Sequence, residues 1–407
     1  MPPKHSSMTD DNLVIRVAAR GDGVTGDGRY VAHAAPGDRV ASDGGLDHGP
    51  RHQTPPCQHF PLCGGCQLQH LDEQALGDFV QGRALHALAS QQIEPSEIMP
   101  VHLSPPHSRR RVALRAGWTG KHFQIGFSTE KSHRIIDLHQ CEIMAPTLFA
   151  LIEPLRVFLK QHVARRDSLQ IKMALVDQGV DMLIENWVAE GLPLHEALTA
   201  FATEHGLARL CIDEGYGPTP FWEPEPVTVT LGGVPTAYPP FAFLQATGDG
   251  EAALLQAVKA IVGDSSKIAD LFAGLGTFAL ELATDSKVYA AEAGRDAIEA
   301  LKAAANGHGR PVVTEHRDLY RRPVSSAEAD RFDCIILDPP RAGAKEQVSQ
   351  LAASSAAKIA YVSCNPNSFA RDAKILHSGG YRLERLWSIG QFRWATHIEM
   401  VGEFVKT

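Results

Sequence analysis

No apolar run in this 407-residue chain approaches the eighteen or so residues that a membrane span requires. The opening stretch MPPKHSSMTDDN has none of the apolar core of a secretory signal and reads as a frayed tail. Both absences lead to the expectation of a soluble, cytoplasmic protein with no membrane partner. Positive charge is in deficit: 39 Lys and Arg against 47 Asp and Glu leave a net charge of −8. That deficit argues mildly against a nucleic-acid partner, because phosphate contacts need cations. Local charge departs from the total in SRRRVALRAGW, where Arg109, Arg110, Arg111 and Arg115 sit together with Lys121 close behind. Such a run is either a solvated strand edge or a basic stripe on an acidic protein. The 7 cysteines are an odd number, which in a cytoplasmic chain argues against a disulfide framework. Internal repeats and low-complexity tracts are also missing.

What is present divides the chain into three expected parts. Residues 1–50 read as a tail followed by a small β module, with NLVIRVAA and GRYVAHAA around the turn-rich GDGVTGDG. Residues 51–238 mix the two periodicities. ALGDFVQGRALHALASQQI is helical, RVALRAGW and HFQIGFS alternate like antiparallel strands, and QIKMALVDQGVDMLIENW reads as a hairpin. Part of 67–102 is free to pack on the next region. From 239 to 407 an amphipathic helix, EAALLQAVKAIV, precedes the short β-rich runs SKIADLF, SKVYAAE, PVVTEH, FDCIILD and AKIAYVS. Helical stretches between several of these runs predict a parallel, doubly wound α/β sheet.

In such a sheet, ligands gather at the C-terminal ends of the strands. IADLFAGLGTFALELA joins an apolar strand to a helical run through Gly274 and Gly276, where the backbone can approach a ligand closely. A third glycine two residues on is missing, so this is not the dinucleotide fingerprint. Glu292 ends the next strand, some twenty residues beyond Asp270, where a carboxylate can accept from both ribose hydroxyls. Asp318 follows the third strand and is within reach of an adenine amino group. A cofactor with ribose and adenine but no pyrophosphate fits S-adenosylmethionine.

The reacting edge carries different residues. Asp338 leaves a buried strand in IILDPPRAG, held by a Pro-Pro turn whose φ angles are nearly fixed. Cys364 in YVSCNPNSFARD opens onto the same edge, where a thiol is out of place as packing. A thiolate adding to C6 of a pyrimidine turns the poorly nucleophilic C5 into a carbon able to attack a methyl sulfonium. A free thiol, with a pKa of about 8.5, is only slightly ionised at neutral pH, so the pocket is expected to favour the anion. His397 and Glu399, on one side of an alternating THIEMV strand, offer a base for the C5 proton. Cys334 and Cys211 read as core filler. Cys57, Cys63 and Cys66 form C-x5-C-x2-C, and four thiolates, were another cysteine to join them, suit an iron–sulfur cluster or zinc equally well.

DLFAGLGTFAL, DPPRAG, YVSCNP and THIE, in this order, resemble the S-adenosylmethionine-dependent RNA uracil-C5 methyltransferases over nearly the whole chain. The resemblance implies a C-terminal Rossmann-like catalytic domain, Cys364 as nucleophile and Glu399 as base. It places Gln245, Phe272, Thr277, Glu292, Asp318 and Asp338 at cofactor positions, beside Gly274 and Gly276, with Asp338 also facing the target base. This chain has Thr247 where Asn is usual and FRWATHIE where a Pro-containing version is usual. The cysteine spacing, with Cys141 as fourth member, is most like the 4Fe–4S site of members acting on 23S ribosomal RNA. Residues 12–50 resemble a shortened TRAM module, a small RNA-binding β-barrel. The resemblance thus implies an RNA-binding enzyme with S-adenosylmethionine and a 4Fe–4S cluster; no obligate protein partner is evident in the sequence, so a monomer is expected. Alternatives are a uridine in the T-loop of transfer RNA, cytosine-C5 methylation, and a non-enzymatic iron–sulfur RNA-binding protein.

Overall fold

The computed structural model describes residues 10–130 and 132–407; the expected frayed tail, at residues 1–9, lies outside them. The N-terminal β module has two small sheets. Val14–Val17, Gly23–Thr25 and Tyr30–Val31 form one, and Arg39–Val40 with Leu46–Asp47 the other, joined by a bridge between Leu13 and Arg39. Buried Asp38 ties the following loop together by accepting from the Ala35 and Gly49 N–H groups at 2.7 Å.

The middle region is built on a six-stranded sheet. Its order is Thr219–Trp222, Leu207–Asp213, Gly179–Glu185, Ser168–Val176, Arg111–Thr119 and His122–Gly126. The hairpin read from QIKMALVDQGVDMLIENW is present, with Gln170 opposite Glu185 and Val176 opposite Gly179. Val112, Leu114 and Ala116 point into the core while Ala113 and Arg115 face out, the alternation that a one-sided sheet imposes.

The last region carries a nine-stranded sheet. Five parallel strands run in the order Val312–His316, Lys267–Leu271's neighbour Lys287–Glu292, Lys267–Leu271 itself, Cys334–Leu337 and Lys358–Ser363. Glu399–Lys406 and Tyr381–Gly390 continue it antiparallel. Burial on both faces explains why the inner strands read as unbroken apolar runs, as in the fully buried CIIL of Cys334–Leu337. The two short strands Glu97–Ile98 and His102–Leu103 close the sheet by pairing with Tyr381–Gly390, and the helix Glu73–Ser90 packs on Pro366–Ser378. Strand order reverses between Lys267–Leu271 and Cys334–Leu337, so a crevice opens at their C-terminal ends.

Local signals set the helix ends around this crevice. Thr247 caps Gly248–Val262 by accepting from the Gly250 N–H at 3.1 Å, and Asp249 and Glu251 suit the positive end of the helix. Asn365 caps Pro366–Ser378, with proline in the first turn. Among the described residues, no helix is long and apolar enough to cross a membrane.

Candidate functional site

Every strand-end residue singled out in the sequence lies at or beside the crevice. Leu271 is the last residue of its strand, and the chain then turns through Phe272, Gly274 and Gly276, all at positive φ. A Cβ on Gly276 would stand 2.4 Å from Leu301, so only glycine fits there; above Gly274 the space is open. The Gly274 N–H donates to Glu292 at 3.1 Å, and the other oxygen of that carboxylate accepts from the Gly294 N–H at 2.7 Å. Glu292 is thereby fixed at its strand end with lone pairs to spare. Thr277 lies in the same turn, just ahead of the short helix Ala279–Leu282. Asp318 accepts from the Tyr320 N–H at 3.0 Å and pairs with Arg321. Tyr320 is a residue the sequence did not mark: its ring packs against Phe272, and its hydroxyl donates to the Gly343 carbonyl at 3.0 Å. It joins the glycine turn to the loop that bears Asp338.

That loop is held from below by the helix Pro366–Ser378. Asn365 Nδ2 and Ser368 Oγ donate to the Arg341 carbonyl at 2.9 and 3.1 Å, and buried Asp372 accepts from the Ala344 N–H and the Tyr361 hydroxyl. The Asp338 N–H donates to Leu271 O, which locks the two strand ends together. Asp338 keeps some surface open to the crevice, yet enclosure by protein, with Glu292 nearby, pushes its carboxyl up to about 7. Glu399 begins the last strand and is buried; burial, with the Asp338 charge, raises it to about 8. Asp270 is fully buried in the preceding strand, and neither of its carboxylate oxygens has a hydrogen-bond partner of ordinary geometry. Burial first, then Asp338, raises it to about 8, and the Ala279 N–H offsets this only in part.

Cys364 sits half-buried immediately after the strand Lys358–Ser363. The expectation that its pocket favours a thiolate is overturned. Burial pushes the thiol up to about 11, the Glu399 and Asp338 carboxylates add to the rise, and Arg341 counters only part of it. Three acids and a thiol therefore share one edge with little compensating charge, and in the absence of a ligand Cys364 is protonated. The alternation expected of THIEMV also fails at its start: the strand begins at Glu399, and His397 lies in the preceding loop, 3.4 Å from Arg341. Gln245 is buried and meets this loop through Gln391.

The departures from the family pattern have local explanations. Thr247 serves as the helix cap and exchanges a 2.9 Å hydrogen bond with Ser104. Arg393 anchors FRWATHIE through an ion pair with Glu73 and a 3.0 Å hydrogen bond to the Ser104 carbonyl.

A groove of about 610 Å³ adjoins the crevice. Arg20 reaches it from the N-terminal module, Gln67 from the cysteine loop, Arg109 and Phe127 from the middle region, and Arg341, Phe392 and His397 from the catalytic region, with Glu130 as its carboxylate. The arginine run is not one solvated stripe. Arg109 packs over the Phe392 ring, Arg110 pairs with Glu251 at 2.6 Å, Arg111 lies over Phe243, and Arg115 is exposed.

Cys57, Cys63, Cys66 and Cys141 line one tight cavity, sealed by Phe60, Phe127 and Leu138. Distance in sequence had separated Cys141 from the other three; the fold brings it back. Among the described residues, no three His, Cys, Asp or Glu side chains converge on a point able to hold a metal ion. Burial raises Cys63 to about 11 and Cys66 to about 12, and Cys141 rises for the same reason. Cys211 and Cys334 are buried in the core, as their sequence context implied.

A methyltransferase-like sheet with a half-buried thiol at its C-terminal edge is the class that fold and site define, and comparison with known proteins agrees. Residues 240–406 match the family model described as tRNA (uracil-5-)-methyltransferase. A protein of Zymomonas mobilis described as an uncharacterized RNA methyltransferase is 50% identical over 97% of this chain and 99% of its own length. The 23S rRNA (uracil(1939)-C(5))-methyltransferase RlmD of Aeromonas salmonicida is 29% identical over 86% of this chain and 82% of its own. The crystal structure of Pyrococcus abyssi tRNA (uracil-54, C5)-methyltransferase, in complex with S-adenosyl-L-homocysteine, superposes with a TM-score of 0.75. It is 24% identical and covers 97% of this chain and 99% of that one. The chain belongs to the S-adenosylmethionine-dependent RNA uracil-C5 methyltransferase family.

Proposed function

We propose that this protein methylates C5 of a uridine in 23S ribosomal RNA, with Cys364 as nucleophile and Glu399 as base. The observation that carries the reading is the placement of Cys364, Asp338 and Glu399 within one another's electrostatic reach at the mouth of the crevice. Ribosomal RNA is favoured over transfer RNA by the four cysteines around one cavity and by the similarity to RlmD.

Phe272, Gly274, Gly276, Thr277, Glu292, Asp318, Asp338 and Gln245 are the residues assigned to hold S-adenosylmethionine. The open space over Gly274 and the fixed carboxylate of Glu292 fit a ribose there. When bound, that cofactor supplies an electrophilic methyl group. The chain's own residues do the rest. An unstacked RNA strand lies in the groove, where Arg20, Arg109 and Arg341 meet phosphate and Phe392 offers a ring face to a base. The target uridine leaves its stack at a cost of a few kcal/mol. Asp338 orients the ring, the Cys364 thiol loses its proton to water as Sγ bonds to C6, and the C5=C6 electrons make C5 the nucleophile. Once C5 carries the methyl group, Glu399 removes the C5 proton, the double bond re-forms and Cys364 leaves. A carboxyl titrating near 8 is a stronger base than an ordinary glutamate, which suits abstraction from carbon.

The same cysteine cavity is assigned to a 4Fe–4S cluster. Burial keeps Cys63, Cys66 and Cys141 protonated without a cation, and metal binding offsets the cost of ionising them, with Cys57 lining the same cavity. Iron and sulfide in stoichiometric amounts after anaerobic purification support this; zinc in their place overturns it.

The function is tested with RNA containing 5-fluorouridine, which has no C5 proton to lose. A methylated covalent adduct mapping to Cys364 is expected, and Cys364→Ala should abolish both the adduct and 5-methyluridine formation. Turnover retained by that variant would refute the assignment.

A further inference from the structure

Gln391 links two parts of the site that the mechanism treats separately. It follows the strand Tyr381–Gly390 and is 2% exposed. A buried primary amide must place its oxygen and its NH2 group on suitable partners. The Gln391 oxygen accepts from the Ala246 N–H at 3.1 Å. A backbone N–H can only donate, so this contact fixes which end of the amide is oxygen. The Gln391 nitrogen then faces Gln245 and donates to its side-chain oxygen at 2.9 Å. Polarity is handed on: Gln245, 4% exposed, has its oxygen committed to Gln391, and the end left for a ligand is NH2. The nearby Gln391 amide also favours the carboxylate form of Glu399.

We propose that Gln391 is a positioning residue: anchored by the Ala246 N–H, it fixes Gln245 as a hydrogen-bond donor. The inference rests on the reading of this crevice as a uracil-C5 methyltransferase site. A fixed donor demands an oxygen acceptor from its ligand and meets an amino group with repulsion. Two sources of such an oxygen enter this site, the carboxylate of the cofactor's amino-acid end and the 4-carbonyl of uracil; the 4-amino group of cytosine is disfavoured.

Two variants test the relay. Gln391→Glu keeps shape, but its carboxylate accepts from both the Ala246 N–H and Gln245, which must then turn its oxygen toward the ligand. Gln391→Met removes both hydrogen bonds and leaves Gln245 free to rotate. kcat/KM for 5-methyluridine formation should fall roughly 10- to 100-fold for Gln391→Glu, the effect of one misdirected hydrogen bond, and less for Gln391→Met. Calorimetry with S-adenosylmethionine alone separates the two sources. Weakened cofactor binding points to the carboxylate; unchanged cofactor binding with a lowered kcat/KM for RNA points to the base. In the background of Gln245→Ala, Gln391→Glu should cost much less than it does alone.

Wild-type kcat/KM and cofactor affinity in both variants would overturn the proposal, as would losses that add in full to those of Gln245→Ala. Selective 15N-glutamine labelling gives a readout independent of turnover. The Gln245 side-chain NH2 of the wild-type protein should appear as one slowly exchanging pair; an averaged signal overturns the relay even where a variant does not fold. A wild-type protein that forms no 5-methyluridine sinks the functional reading instead and leaves the amide measurement standing.

Discussion

The reacting edge and the cysteine cavity are both places where burial crowds titratable groups together, and they handle the cost in opposite ways. At the edge, burial and the Asp338 charge raise Glu399, Asp270 and Cys364, burial and Glu292 raise Asp338, and Arg341 counters the rise at both Cys364 and Glu399. In the cavity, the Cys63 and Cys66 thiols rise through burial and the proximity of the other cysteines, with apolar residues packed around them. The edge opens onto a groove, so its missing charge can arrive and leave with a ligand. The cavity is tight and lined by apolar residues, although Cys57 keeps some exposure. One arrangement suits a reaction cycle and the other a resident group.

Changes at the edge should alter turnover most. Glu399→Gln is expected to lower 5-methyluridine formation by about 10²- to 10⁴-fold, the usual worth of a positioned base. It should leave a methylated covalent adduct on ordinary uridine RNA, visible by mass spectrometry. Cys66→Ser attacks the cavity instead: iron content and visible absorbance should be lost and the unfolding midpoint lowered, with Cys211→Ser as the control that keeps the iron. If Cys66→Ser abolished the Cys364 adduct while iron remained bound, the two regions would not be separate devices.

Smaller effects sharpen the electrostatic side. Arg341→Ala removes the cation that lowers both Cys364 and Glu399. The pH–rate limb should therefore move to higher pH, with a loss on the order of 10-fold at neutral pH, since one pKa unit corresponds to about 1.4 kcal/mol. Asp270→Asn bears on stability. Asp270 titrates at about 8 in the folded protein, far above its usual range, so the folded state holds a proton that the unfolded state releases. Its stabilisation is complete below the unfolded value of about 4 and is lost as pH rises through the folded one. Asn cannot ionise, so the variant should show a flatter decline in unfolding midpoint between pH 5 and pH 9 than the wild type does. An unchanged slope would place the burden on Asp338 and Glu399 instead.

Much of the edge was legible because strand-end chemistry is local. Alternation, apolar runs and turn residues suffice to place Gly274, Gly276, Glu292, Asp338 and Cys364 at one side of a parallel sheet. The misreadings are equally instructive. A thiolate was expected at Cys364 because its partners were unknown; the carboxylates that oppose ionisation come from two other strands. The arginine run looked uniform because consecutive residues share a charge, yet the sheet turns their side chains to different partners, Phe392 for Arg109 and Glu251 for Arg110. Tyr320 and Gln391 carry no motif, and their importance comes from the loops that they join.

The sequence by itself determined which residues end strands, cap helices and turn the chain, because those outcomes depend on φ preferences and spacing over a few neighbours. Only the tertiary structure decided how Cys141 joins Cys57, Cys63 and Cys66, which acids hold their protons, and which way the Gln245 amide faces. Each of these depends on desolvation and on partners far away in the chain, and neither is written into local periodicity.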